Sequence, residues 1–323
     1  MKDKTTVIGI DIGGTKISAA LFSGSGNILK KIIHPVLQQK GEQVIDCIGT
    51  MAISLIEYAD EKSYKVVAIG ACVPGIYHPV NKTVWAPNIP DWDNIPLWDE
   101  LTRYVNDPSI KIIIESDRSC YILGEIWKGA AQGCTDAIFV AVGTGIGAGI
   151  LSNGNIINGA NGISGAIGWL ALEPPYHTKY ESWGNFEHYA SGNGIARSAV
   201  EALSKDGKTI SLLDKIPYDA IKAYDVFEAY DKQDAVAKEV IEKAILYWGM
   251  VVANLVSIFN PQKVIFGGGV FGPGSKFLNR ILREAKKWAQ PLSIKEMTLE
   301  ASMLKGDAGL IGAGYLAIRN INT

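Results

Sequence analysis

Two short apolar runs in this chain end in glycine-rich turns, and each turn leads at once into another apolar run. Val7 to Ile12 passes through Gly13-Gly14-Thr15 into Ile17 to Phe22, and Ala137 to Val142 passes through Gly143-Thr144-Gly145-Ile146-Gly147 into Ala148 to Leu151. Each reads as a strand, a tight turn and a returning strand. The unit recurs roughly 130 residues along the chain, which predicts an internally duplicated α/β architecture of two lobes. Lobes facing each other would bring both turns to one cleft.

The remaining segments fit that plan. Gln43 to Ala59 has apolar residues at helical spacing and precedes a strand at Lys65 to Ala71, and Lys111 to Glu115 is a further strand with Asp117 just past its end. Beyond Gly194 the pattern is mainly helical, clearest from Ala235 to Ile258, with a strand at Lys263 to Phe266 that runs into Gly267-Gly268-Gly269. An Ala- and Gly-rich helix from about Asp307 to Arg319 is expected to pack closely on another element. The expected division is a first lobe of residues 1–115 joined by that last helix, about 305–321, and a second lobe of 116–304.

Composition narrows the partners. A chain of 323 residues that is 47% hydrophobic and 20% charged can bury two cores. Its net charge of −2 carries no footprint for nucleic acid or an anionic membrane. No signal segment and no run long enough to span a bilayer is read, so a cytoplasmic location is expected. Cys47, Cys72, Cys120 and Cys134 lie in apolar or small-residue surroundings without C-x-x-C spacing, and read as buried thiols.

Phosphoryl transfer asks a protein mainly for amides and cations that hold a polyphosphate. Asp11-Ile12-Gly13-Gly14-Thr15-Lys16 offers a carboxylate for a Mg²⁺ shell, a glycine turn, a hydroxyl and an ammonium, while Gly143, Thr144, Gly145 and Gly147 offer a second amide cradle. Either turn alone reads equally well as a hairpin. Their pairing in duplicated units, with Asp at a strand end, favours phosphate. Gly207-Lys208-Thr209 resembles the end of a Walker A loop, but Ala202 stands where its first glycine belongs and no apolar strand precedes it. A dinucleotide fingerprint at Gly143-x-Gly145 fails because a returning strand, not a helix, follows.

Between Pro74-Gly75 and Trp98 an aperiodic stretch carries Asn88, Asp91, Trp92 and Asp93. Such a loop suits a polyol, with indoles covering C–H faces, and reads equally as plain surface. Asp117, between Ser116 and Arg118, is the candidate general base, and Arg118 would keep it ionised unless its side chain points away.

These residues resemble the ROK family of bacterial sugar kinases and sugar-responsive repressors across essentially the whole chain. The matches are Asp11 to Lys16, Val73-Pro74-Gly75, Ala86-Pro87-Asn88, Asp117 with Leu123-Gly124-Glu125, and the second glycine turn. Further matches are Gly165-x-Ile167-Gly168, Phe186-Glu187-x-Tyr189-Ala190-Ser191-Gly192, Asn260-Pro261, Gly267 to Val270, and Gly306-Asp307-Ala308 through Gly312-Ala313. The resemblance implies the actin-like, ribonuclease H-like two-lobe fold, ATP with Mg²⁺ held through Asp11, and phosphorylation of a hexose or its derivative, usually at O6. It also implies Asp117 as base, Asn88 and Glu187 on the sugar, Gly268 and Gly269 in the nucleotide pocket, and a homodimer; Gly75, Ser116 and Trp169 are further candidates for the sugar side.

Departures bear on substrate. Ser116 and Ser119 replace asparagines usual in the family, and Gly165-Ala166-Ile167-Gly168-Trp169 replaces a G-E-x-G-H segment. No cysteine stands between Tyr176 and Glu187, so the family's structural zinc is not expected, since His177 and His188 cannot close such a site. Trp169 substitutes an apolar stacking face for polar contacts, which would suit a derivatised sugar. A repressor is not expected, because the first turn begins at residue 11 and leaves no room for a preceding helix-turn-helix. The alternative is a sugar-sensing protein of the same fold with weak or no catalysis.

Overall fold

The computed structural model describes residues 4–36, 41–204 and 210–321. Gly207-Lys208-Thr209 and the three residues before Lys4 lie outside them. The elements are β1 Thr5–Ile12, β2 Lys16–Ser23, β3 Ile28–Pro35, α1 Glu42–Glu61, β4 Lys65–Val73, β5 Ile76–His78, β6 Thr83–Trp85, α2 Leu97–Val105, β7 Lys111–Ser116 and α3 Asp117–Lys128. They continue with β8 Ala137–Val142, β9 Ile146–Ser152, β10 Asn155–Ile156, α4 Asn185–Ala190, α5 Gly192–Leu203, α6 Ala223–Asp231 and α7 Ala235–Phe259. The last are β11 Lys263–Gly267, α8 Leu278–Ala285, α9 Pro291–Glu296, β12 Thr298–Ala301 and α10 Ala308–Arg319.

The chain divides into two compact units. The first runs to Gly133 and adds Asn158–Ser164 and the segment from Gly306 onward; the second is Cys134–Ile157 with Gly165–Lys305. The first unit holds a sheet of order β3-β2-β1-β4-β7, and the second a sheet of order β10-β9-β8-β11-β12. In the first, β1 pairs antiparallel with β2 and β2 with β3, while β1, β4 and β7 run parallel. In the second, β8 pairs antiparallel with β9 and β9 with β10, while β8, β11 and β12 run parallel. One topology therefore occurs twice, strand for strand.

The first sheet explains why β1 and β2 are apolar almost throughout. Alternate residues of a strand face opposite ways, and here both faces are covered. Ile8, Ile10 and Ile12 join the core that includes Val44, Ile48 and Leu55 of α1. Val7 and Phe22 join Leu310 and Ala317 of α10 on the other side. A Cβ at Gly9 would lie 2.6 Å from the Gly314 nitrogen, so the two backbones nearly touch.

Residues 116–133 lie in the first unit, not beyond a boundary near 115. The cause is α3, which follows β7 without a loop and packs on α10 at very short range. A Cβ at Gly312 would lie 1.8 Å from the Cys120 carbonyl oxygen, and one at Gly124 would lie 2.4 Å from that of Ala308. The stretch expected as an aperiodic loop contains the β5–β6 hairpin. Its Trp92 is 1% exposed and donates from Nε1 to the Gly41 carbonyl, so this indole belongs to the core and offers no face to a sugar.

In the second unit α7 is the central helix. Its 25 residues are long and apolar enough, by length and composition, to cross a membrane, contrary to the expectation that no run is. Its apolar surface is used inside the unit: Val240, Ile241, Tyr247, Trp248 and Val252 are buried with residues of α5, α6 and α8. Trp248 Nε1 donates to the Ala190 carbonyl of α4 at 3.1 Å.

Candidate functional site

Because β1, β4 and β7 are parallel, their carboxyl ends reach one edge of the first sheet, the edge at which open α/β sheets take ligands. The register sets Asp11 beside Cys72 and Val73 beside Ser116. That edge gathers Asp11, the turn through Gly13 and Gly14, Gly75, Ser116 and Asp117 within a single unit.

Asp11 closes β1. Burial pushes its carboxyl up to about 6, and the charges of Asp117 and Asp307 push the same way, against the Cys72 thiol and Lys16. A Cβ at Gly309 would lie 2.8 Å from the Asp11 Cγ and both Oδ atoms, so the carboxylate rests on the first turn of α10. In the turn itself the Gly13 amide donates to the Lys16 carbonyl at 3.0 Å and is spent there. Gly14, Thr15 and Lys16 are exposed. The Asn88 backbone lies against this turn, its carbonyl oxygen 2.8 Å from where a Gly14 Cβ would be, and Asn88 is itself exposed.

Asp117 opens α3. Burial raises its carboxyl, opposed by the Arg118 charge and by hydrogen bonds. Its Oδ1 accepts from the Arg118 amide at 2.8 Å and its Oδ2 from the Tyr121 hydroxyl at 3.4 Å. The Arg118 guanidinium is committed elsewhere, donating to the carbonyls of Gly162 and Ile163 at 3.3 and 3.4 Å. Its charge therefore moderates the effect of burial without overcoming it.

Ser116 is buried and caps α3, its Oγ accepting from the Ser119 amide at 3.3 Å and lying 3.0 Å from the Ser119 Oγ. Ser119 Oγ donates to Asn158 Oδ1 at 3.2 Å, and Asn158 Nδ2 donates to Glu115 Oε2 at 2.8 Å. Beside this network a cavity of about 350 Å³ is lined by Tyr77, Glu115, Ser116, Asn158 and Gly162 among others. Gly75 serves packing: a Cβ there would lie 1.9 Å from the Trp85 carbonyl oxygen.

The second unit repeats the turn. Gly143 donates to the Gly145 carbonyl at 2.9 Å and its own carbonyl accepts from Gly192, the first residue of α5, at 2.8 Å. The return strand begins at Ile146, earlier than expected, so Gly147 is a strand residue paired with Ala141 and lies outside the turn. Thr144 is exposed at its tip. Gly268, at φ 89°, brings the exit of β11 onto the end of β8, where a Cβ would lie 2.4 Å from the Val142 carbonyl oxygen. A Cβ at Gly269 would have no neighbour within 4 Å.

Glu187 of α4 lies against the same turn, its Oε2 accepting from the Ile146 amide at 2.7 Å. Burial raises its carboxyl, while that bond and Arg197 oppose. Trp169 ends a 3₁₀ turn, Ile167–Trp169, and is 57% exposed. His188 is buried, and burial with the charges of Arg197 and Lys179 lowers its ring to about 4. Among the described residues no group of three or more His, Cys, Asp or Glu is placed to hold a metal.

The sequence matches the ROK family over residues 7–320. The chain belongs to the ROK family. A glucokinase of Halalkalibacterium halodurans is 32% identical over 327 residues, covering 98% of this chain and 96% of that one. The crystal structure of a ROK hexokinase from Thermus thermophilus superposes with a TM-score of 0.80 at 28% identity, covering 98% of this chain and 99% of that one. A ROK glucokinase from Streptomyces griseus, solved with glucose and AMPPNP, gives 0.75 at 30% identity, covering 98% and 100%. The fold is accordingly the actin-like one of ROK kinases.

Within this ROK chain, several residues at the first sheet edge carry no sequence motif of their own. Tyr121 reaches Asp117 because it stands four positions later on the same helix, a spacing visible in the sequence once α3 is known to start at Asp117. Cys72 meets Asp11 through strand register, and Gly309 through the return of α10. Neither pairing has a local signal.

Proposed function

We infer that this ROK protein is a carbohydrate kinase that transfers a phosphoryl group from ATP to a sugar, and we propose O6 of a hexose or hexose derivative as the acceptor with Asp117 as general base. The observation that carries the proposal is the shared edge: a half-buried carboxylate at the start of α3 stands on the same strand ends as the Asp11–Lys16 turn. Relatedness to glucokinases at 32% identity over nearly the full length supports the chemistry.

In this reading the exposed Gly14, Thr15 and Lys16 meet ATP phosphates, and the turn at Gly143, Thr144 and Gly145 does the same in the second unit, with Gly268 and Gly269 toward the nucleotide base. Asn88 and Glu187 accept from or donate to sugar hydroxyls. Asp117 takes the hydroxyl proton at a carboxylate oxygen as that hydroxyl attacks phosphorus, and its raised carboxyl is a stronger base than an exposed aspartate.

Asp11 fits Mg²⁺. It is an oxygen donor held among other carboxylates, its ionised form is disfavoured by burial, and a dication would relieve that cost. Mg²⁺ bound with ATP is usually held by one or two carboxylates plus phosphate oxygens, so a single protein ligand suffices. Its chemistry is to neutralise charge on the phosphates. A cytoplasmic location and a homodimer belong to the same proposal, the latter checked by the mass in solution against the 34.8 kDa chain.

The test is ADP release from MgATP against hexoses, N-acetylhexosamines, ketoses and polyols, with the product's phosphate position read by ³¹P–¹H correlation. Sugar-dependent ADP release with phosphate on O6 is expected. Sugar binding without any turnover would replace the kinase with a sensor.

A further inference from the structure

The face of the first sheet that α10 covers can be followed along paired residues of β1 and β4. Val7 stands beside Ala68, Gly9 beside Gly70, and Asp11 beside Cys72. Residues two apart in a strand share a face, so these positions all lie on the same side of the sheet. Val7 and Ala68 are buried with Leu310 and Ala317 of α10. A Cβ at Gly70 would lie 2.0 Å from the Ala313 carbonyl oxygen, just as Gly9 meets the backbone of Gly314. The third pair sets a carboxylate beside a thiol under the same closely packed helix.

Cys72 is fully buried, and so is Cys120 in the first turn of α3. The Cys120 thiol lies within hydrogen-bonding reach of the Cys72 sulfur. Gly312 holds α3 down at this point, where a Cβ would lie 1.8 Å from the Cys120 carbonyl oxygen and 2.9 Å from its Cα. The Cys72 thiol in turn donates to the Asp11 carboxylate, which keeps some exposed surface of its own.

A carboxylate on a covered face has to be held by donors. A thiol is a small apolar body and a weak donor, so it can fill a dry gap beneath a helix and still fix one side of that carboxylate. The Gly309 contact limits Asp11 from α10, and the Cys72 thiol limits it from the neighbouring strand. The exposed part of the group is left to face a ligand.

We propose that Cys72 is a positioning residue for Asp11, its thiol fixing the carboxylate so that the exposed side is aimed at Mg²⁺ bound with ATP, while Cys120 only packs against it. The inference rests on the reading of Asp11 as the Mg²⁺ ligand and goes beyond it in naming the residue that orients that ligand. Removing a partner that orients a metal-binding group typically costs about 10- to 100-fold in metal affinity or activity.

The experiment measures ATP affinity by calorimetry in Mg²⁺ and in EDTA, and takes the ratio of the two as the contribution of the metal. It compares the wild type with Cys72→Ala, Cys72→Ser and Cys120→Ala. Ala and Ser leave nearly the same void at Cys72, and only Ser keeps a donor. Cys72→Ala is expected to bring the ratio toward one with metal-free ATP affinity unchanged, and Cys72→Ser and Cys120→Ala to keep the wild-type ratio. In turnover, Cys72→Ala should raise the half-saturating Mg²⁺ concentration by about tenfold or more and leave the KM of the sugar within about twofold. If Cys72→Ala does not fold, Cys72→Val and Cys72→Thr repeat the comparison at equal shape, and only Thr should keep the ratio. A wild-type ratio in Cys72→Ala or Cys72→Val overturns the proposal, as does a hydroxyl variant no better than its apolar counterpart. A ratio of one in the wild type removes Mg²⁺ from Asp11 and the proposal with it. A Cys72-dependent ratio with no turnover of any sugar keeps the proposal and sinks the kinase reading.

Discussion

Replacing Gly309 by Ala sets two known effects against each other. In a helix, alanine is favoured over glycine by up to about 1 kcal/mol, so helix propensity alone predicts a more stable protein. The added methyl, however, would sit 2.8 Å from the Cγ and both carboxylate oxygens of Asp11, nearer than carbon and oxygen atoms pack. Asp11 closes a strand bonded on both sides, so its backbone has little room to retreat. Overpacking of this kind costs about 1–3 kcal/mol, which outweighs the propensity gain and leaves a net loss on the order of 1 kcal/mol. In a chain of this size that lowers Tm by roughly 1–2 °C. The effect on turnover should be larger if Asp11 holds Mg²⁺ as proposed, because displacing a functional carboxylate by about 1 Å can cost about 10²-fold. Gly306→Ala is the reference, since its Cβ would meet nothing within 4 Å, and it should change neither quantity appreciably. Calorimetry and an ADP-release assay at varied Mg²⁺ measure both. A Gly309→Ala protein that is more stable than wild type and fully active would refute the placement of Asp11 on α10.

Three further outcomes follow from single contacts. His188 is held neutral with its ring near 4 against an ordinary value of 6.5, so the unfolded chain binds more protons between those values. Stability from this residue is then full above about pH 6.5 and lost as pH falls toward 4, by on the order of 2 kcal/mol, and a His188→Gln protein should show a flatter urea-midpoint profile over that window. Lys31→Ala removes an ion pair to Asp307 at 2.8 Å between partly exposed groups, and should cost about 0.5–1 kcal/mol, less in 1 M salt, by denaturant titration. Tyr121→Phe deletes a donor that holds the Asp117 carboxyl down, so the acid limb of the kcat profile should move to higher pH by less than about one unit.

The parts of the fold legible in the sequence are those whose apolar pattern is complete. Ala137–Val142 is apolar throughout because the strand lies inside its sheet, and Ala235–Phe259 shows helical periodicity over many turns. β3 carries no such pattern because it is an edge strand, half exposed and carrying Lys30, Lys31 and His34, and β12 is only four residues long. The Gly- and Ala-rich last helix announced close packing, but its partner did not show: Gly312 sits against Cys120 only because α3 starts without a loop after β7. That missing loop also carries the first unit past residue 115 to Gly133.

At the site, the motif residues with a chemical reason to be together were legible, namely Asp11, the glycine turn and Asp117. Neither reading of the stretch around Trp92, sugar face or plain surface, fits its indole, which fills the core; in an aperiodic stretch nothing in the sequence says which way an indole points. Gly147 was assigned to a turn that ends two residues earlier, because a run of alternating glycines hides where strand pairing resumes. The sequence marks Ser116 as a candidate sugar contact; that its hydroxyl also caps α3 could not be read there, because that role depends on a helix starting at Asp117.

The central claim is that Asp117 activates a sugar hydroxyl toward ATP. Its most direct test is the turnover of Asp117→Asn with the best sugar found for the wild type, alongside ATP affinity measured by calorimetry. The account predicts a fall in kcat of at least about 10²-fold with ATP affinity changed only a few-fold. Wild-type turnover in the Asp117→Asn protein would contradict it.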